Sequence, residues 1–104
     1  MKSANLATNR SSLSSRELRD LISVGPATVR ALHSLGIRSV AQLARQDAGS
    51  LYRRLCKKEG QAIDPCCLDV FSAAVAQARN PRLPPEQCVW WYWSRERKSK
   101  AAGG

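Results

Sequence analysis

The chain has 104 residues, with 17 basic and 8 acidic side chains, a formal charge of +9, a pI near 10.1 and 43% apolar residues. Such a length holds one small domain with a modest core. No apolar run reaches membrane-spanning length, and the first thirteen residues lack the apolar stretch of a secretory leader. A cytoplasmic location follows as the expectation, with the four cysteines as reduced thiols and no membrane partner.

Residues 1–13 are polar and small, and read as a flexible arm. A domain is expected over 14–94. Ser14 and Glu17 stand at capping-box spacing and Leu13 and Leu18 at staple spacing, so a first helix is predicted from there to about Ile22. Ser23-Val24-Gly25 is a tight turn, for which Gly25 offers a permissive backbone. Pro26 opens a second helix, to about Leu35, and Gly36 ends it. Ser39 with Gln42 starts a short third helix, about Val40 to Arg45. Asp47 caps a fourth, with Leu51, Tyr52 and Leu55 on its buried face, and Gly60 stops it. Asp64-Pro65 opens a fifth, to about Arg79, with Leu68, Phe71, Val75 and Ala78 at helical spacing. Asn80-Pro81 ends it. Pro84-Pro85-Glu86 leads into a last short helix carrying Trp90-Trp91-Tyr92-Trp93. Residues 95–104 read as a basic, disordered tail. No segment alternates with period two. The fold class is therefore all-α, a compact bundle of five to six short helices.

Charge is unevenly placed. Residues 16–58 carry a balance of +6, residues 59–94 carry −2, and residues 95–104 carry +3. The basic excess surrounds the first turn and the tail. That pattern matches the footprint of a nucleic-acid binder, and equally suits an acidic protein partner.

Leu18, Leu21, Val24, Gly25, Val29 and Leu32 fit the pattern of a helix-hairpin-helix element, with Ser23 where a glycine is usual. In such an element Val24 inserts between the helices. Backbone N–H groups left open at a helix start seat phosphate oxygens, which positions a backbone without reading bases. The candidate binding residues are Ser23, Val24, Gly25, Ala27, Thr28 and Arg30. Gly36, Arg38 and Ser39 form a second, similar helix start beside them. The expected function is sequence-independent nucleic-acid backbone binding, DNA ahead of RNA. The alternative is a protein-interaction bundle whose basic face meets an acidic partner.

Four stretches carry a family resemblance: Leu21-Ile22-Ser23-Val24-Gly25-Pro26, Leu35-Gly36-Ile37-Arg38-Ser39-Val40, Leu51-Tyr52-Arg53-Arg54-Leu55-Cys56 and Asp64-Pro65-Cys66-Cys67-Leu68-Asp69-Val70-Phe71. With Trp90-Trp91-Tyr92-Trp93 they span about Glu17 to Trp93. Over that span the chain resembles the small bacterial helix-hairpin-helix proteins of the pathogenicity-locus or mitomycin-resistance family. The resemblance implies an all-helical fold and a DNA-related role, in repair or damage resistance. It brings no established activity.

Cys56, Cys66, Cys67 and Cys88 lack the spacing of zinc ligands, and no metal or other cofactor is expected. His33 reads as a surface or boundary residue. No paired carboxylates or phosphate loop are present, so no catalytic residue is assigned and the chain is expected not to be an enzyme. Trp90 and Trp93 share a helix face while Trp91 and Tyr92 turn away. The first pair is expected to form a lid on the core. An exposed tryptophan would instead stack on an unpaired base or grip a protein partner.

Overall fold

The computed structural model describes residues 16–103, with side chains through Lys100. The expected arm and the cap and staple at Leu13 and Ser14 lie outside the described residues. Among the described residues the fold is all-α: α1 (Pro26–Ser34), α2 (Val40–Ala44), α3 (Ala48–Glu59), α4 (Cys66–Arg79) and α5 (Trp90–Gly103), with 3₁₀ turns at Leu18–Asp20 and Pro85–Gln87.

The expected first helix is, in the described residues, only the 3₁₀ turn Leu18–Asp20. Its cause is local. Asp20 accepts the Glu17 N–H at 2.8 Å, so the cap falls at Glu17, and Leu21 is already extended. Too few residues then remain before the turn at Ser23 to build an α-helix.

α1 ends in a Schellman closure. Gly36 has φ +87°, its N–H bonds the His33 carbonyl, and the Ile37 N–H returns 2.9 Å to Leu32. Ile37 is thereby delivered to the core. Ser39 accepts the Gln42 N–H at 3.1 Å, and Asp47 accepts the Ser50 N–H at 2.9 Å, so α2 and α3 start where their caps require. Asp64 accepts the Cys66 N–H at 2.9 Å. That bond lowers the Asp64 pKa from its ordinary range, and α4 begins at Cys66, one residue after the expected proline start.

α4 is the central helix, and α2, α3 and α5 pack against it. Phe71, Leu32, Leu43 and Leu51 are wholly buried, each contributing about 2 kcal/mol. The core extends from Leu18, Leu21 and Val24 through α1–α3 to Val75 and Ala78. Trp90 and Trp93 are half-buried and Trp91 is 52% exposed, the division that their spacing implied, but the pair stays outside the core cluster and does not seal it. α5 is instead held by polar contacts. Arg97 makes a fork to the buried Asp69 carboxylate, at 2.9 and 3.0 Å. Ser94 is buried beside this pair's helix face, and the Trp93 indole N–H donates to the Gln87 carbonyl at 2.8 Å. α5 therefore runs on through the stretch expected to fray after Ser94, to Gly103.

Arginines close three helix ends. Arg54 donates to the Leu35 carbonyl beyond α1, Arg79 to Ala44 and Gln46 at the end of α2, and Arg16 to Gln77 and Ala78 near the end of α4. A cation satisfies carbonyls there and complements the helix dipole.

Candidate nucleic-acid interface

The turn before α1 is built around Ser23. Its φ of +73° is the one positive value among the described non-glycine residues, and a side chain in that conformation costs about 1–2 kcal/mol. Gly25, by contrast, is ordinary extended backbone, φ −98° and ψ −179°. The permissive position is thus Ser23 and not Gly25, which corrects the reason given for the glycine.

Two bonds offset the strain at Ser23. Its hydroxyl donates to the Cys88 carbonyl at 3.3 Å and accepts the Trp90 N–H at 3.1 Å, the start of α5. Gln77 of α4, nearly buried, completes the arrangement. Its carbonyl oxygen accepts the Ile22 N–H at 2.9 Å, and its amide donates to the Ile22 carbonyl at 2.8 Å and to Ala73 and Cys88. The left-handed serine and the peptide before it are therefore fastened to α4 and α5.

Outward lies the start of α1. Gly25 is its N-cap, with no side-chain cap bond and no acidic residue in the first turn. The first bond of the helix runs from the Val29 N–H to the Gly25 carbonyl, 3.0 Å. The N–H groups of Ala27 and Thr28 precede it and have no helical partner. A Cβ built on Gly25 meets nothing within 4 Å, so the approach is open.

The expected site residues divide by position. Ser23 is turned inward by its hydroxyl, and Val24 is buried in the core, which places it between the elements as anticipated. Neither side chain faces outward. Gly25, Ala27 and Arg30 are exposed and Thr28 is half-buried. Ala27 and Arg30 line a concavity of about 320 Å³ with Leu55, Glu59 and Gln61. Arg38 and Ser39 instead line a concavity of about 570 Å³ with Val29, His33, Arg16 and Arg19. α1 contributes to both hollows, so the two turns do not share one. At the second turn the Arg38 N–H is taken by the Gln42 side chain at 2.6 Å and the Ser39 oxygen by the Gln42 N–H. Gly36 is exposed and serves the α1 closure. His33 is exposed, as its sequence position implied.

The chemistry of the cysteines is quiet. All four are free thiols. Burial pushes the Cys67 and Cys88 thiols up, and Asp64 pushes up Cys66. Among the described residues no group of three or more His, Cys, Asp or Glu side chains converges as a metal site. No helix of the described residues is long and apolar enough to cross a membrane.

Sequence reasoning missed the fastenings: Gln77, the Asp69–Arg97 pair and the arginine closures. Asp69 and Gln77 left a signal, as polar residues inside the most apolar helical run. Their partners, 28 and 55 residues away, left none.

Residues 11–99 match the family described as pathogenicity locus, Cdd1. The chain belongs to that family. A mitomycin resistance protein, McrB, of Streptomyces lavendulae is 38% identical over 87 residues, which is 84% of this chain and 79% of the relative. No solved structure matches the chain. Within this Cdd1 family chain the matched span includes the whole of the turn, α1–α4 and α5 as far as residue 99.

Proposed function

We propose that this Cdd1 family chain is a non-enzymatic DNA-binding module, acting in damage resistance, that holds the nucleic-acid backbone at the start of α1 without reading sequence. The observation that carries the reading is the uncapped, acid-free N-terminus of α1, open at Gly25, with the exposed Arg30 one turn further along. Open N–H donors and a guanidinium together suit a phosphate oxygen. The name of the mitomycin resistance relative supports the damage-resistance part.

The test is an anisotropy titration of a labelled duplex over a range of salt concentrations. Binding is expected to weaken steeply with salt and to vary little with sequence. Gly25→Glu with Arg30→Ala is expected to weaken it about tenfold or more, because a carboxylate then occupies the donors' approach. Gly25 has an ordinary φ and open surroundings, so the fold is retained. Absence of binding by the native chain at low salt would overturn the proposal, as would full binding by the double variant.

A further inference from the structure

We propose that Trp91, Arg95 and Lys98 form a second nucleic-acid contact that takes unpaired strands, the tryptophan stacking on a base and the two cations on flanking phosphates. This deepens the nucleic-acid reading and rests on it, but its surface shares no residue with the α1 turn.

Positions 91, 95 and 98 are one and two turns apart and lie on one face of α5. The adjoining side of α5 fixes that face: Ser94, three residues after Trp91, is buried, and Arg97 is forked to Asp69 at the edge of the same hollow. Trp91 is left 52% exposed, although large aromatics are what a small core most readily buries. Trp90 stands nearly perpendicular to it, 84° with ring centroids 6.2 Å apart, and steadies it from one side. The three residues line a concavity of about 510 Å³ against Pro65 and Cys66 at the start of α4.

The charge of this hollow selects the occupant. Among the described residues the ion pairs are Arg19–Glu17 and Arg97–Asp69, so Arg95 and Lys98 carry none. The one carboxylate facing the hollow, Asp64, already accepts the Cys66 N–H. Glu96 lines the other side of α5 with Tyr92 and Trp93. An aromatic plane followed over about 10 Å of helix by two unpaired cations suits a single strand, whose bases are free to stack and whose backbone needs tracking. A duplex keeps its base faces hidden, so Trp91 adds nothing to its binding.

The experiment titrates the full chain with oligothymidylate and with a duplex, reading tryptophan emission and anisotropy. Emission is expected to be quenched by oligothymidylate, and the quench is expected to vanish in Trp91→Phe while most affinity remains. Trp91→Ala is expected to lose about tenfold or more in single-strand affinity with duplex affinity unchanged. Arg95→Gln with Lys98→Gln is expected to flatten the single-strand salt slope by about 1.4. Far-ultraviolet dichroism checks that each variant keeps its helices. Equal single-strand affinity in native and Trp91→Ala protein overturns this inference while leaving duplex binding at α1 standing. A chain that binds neither strand nor duplex overturns both. Trp91-dependent binding to phosphatidylglycerol vesicles, without binding to oligothymidylate, places a lipid surface there instead and overturns it as well.

Discussion

The two basic regions of this chain use their charge differently. Around the α1 turn, Arg16 and Arg54 close helix ends and Arg19 pairs with Glu17, which leaves Arg30 and Arg38 as the outward guanidinium groups nearest the two turns. On α5, Arg97 alone is engaged, and Arg95, Lys98 and Lys100 face solvent. Three of the nine basic residues over 16–58 are engaged and one of the four over 95–104, so what separates the regions is the partner that the engaged side chain takes: backbone carbonyls and a surface carboxylate in the first, a buried carboxylate in the second. An arginine on a carbonyl keeps its charge and its field, but its N–H groups no longer reach a phosphate.

The largest test of this contrast removes the engaged member of α5. Arg97→Ala leaves the Asp69 carboxylate buried without its partner and is expected to cost about 3 kcal/mol, read as a lower urea midpoint. Tryptophan emission should shift to the red as α5 loosens. An unchanged midpoint would mean that α5 is held by something other than the fork. On the turn side, Gln77→Leu strands the Ile22 N–H and carbonyl, and is expected to cost about 2 kcal/mol by the same measurement.

Ser23 offers a smaller and more discriminating pair. Ser23→Ala keeps the left-handed backbone and loses both hydroxyl bonds, so about 1.5 kcal/mol should be lost. Ser23→Gly loses the same bonds but relieves the backbone, and the two effects should nearly cancel. If the glycine variant proves as unstable as the alanine one, strain at this position is negligible. The smallest effect belongs to Asp64. Its folded pKa is lowered by the Cys66 N–H bond, so its contribution is full above the ordinary carboxylate range and disappears as pH falls through the lower folded value. The advantage of the native chain over Asp64→Asn in thermal midpoint should therefore shrink between neutral pH and about pH 3.

Local signals were legible where one residue decides an element. Gly36, Ser39, Asp47 and Gly60 placed the ends of α1, α2 and α3 to within a residue or two, because caps are short-range hydrogen bonds. Within the described residues the expected first helix shortens because the Asp20 side chain turns back to the Glu17 N–H, a local bond that apolar periodicity does not show. The length of α5 was illegible because it depends on Asp69. A basic run looks the same in sequence whether it frays or finds a buried carboxylate. Of the candidate site, Gly25, Ala27, Thr28 and Arg30 were placed at an open helix start, whereas Ser23 was expected at the ligand and instead turns inward.

The serine has a consequence for the order of assembly. Its two partners, the Cys88 carbonyl and the Trp90 N–H, lie 65 and 67 residues further along the chain, and Gln77 reaches Ile22 across 55. A chain still in synthesis contains Ser23 before either partner has been made. The ends of α1 and α2 also lean on later residues, Arg54 of α3 and Arg79 of α4, but the turn before α1 waits longest, for the start of α5. The turn is thus fastened only once the start of α5 is in place, and contacts of such long separation slow the closing step of folding.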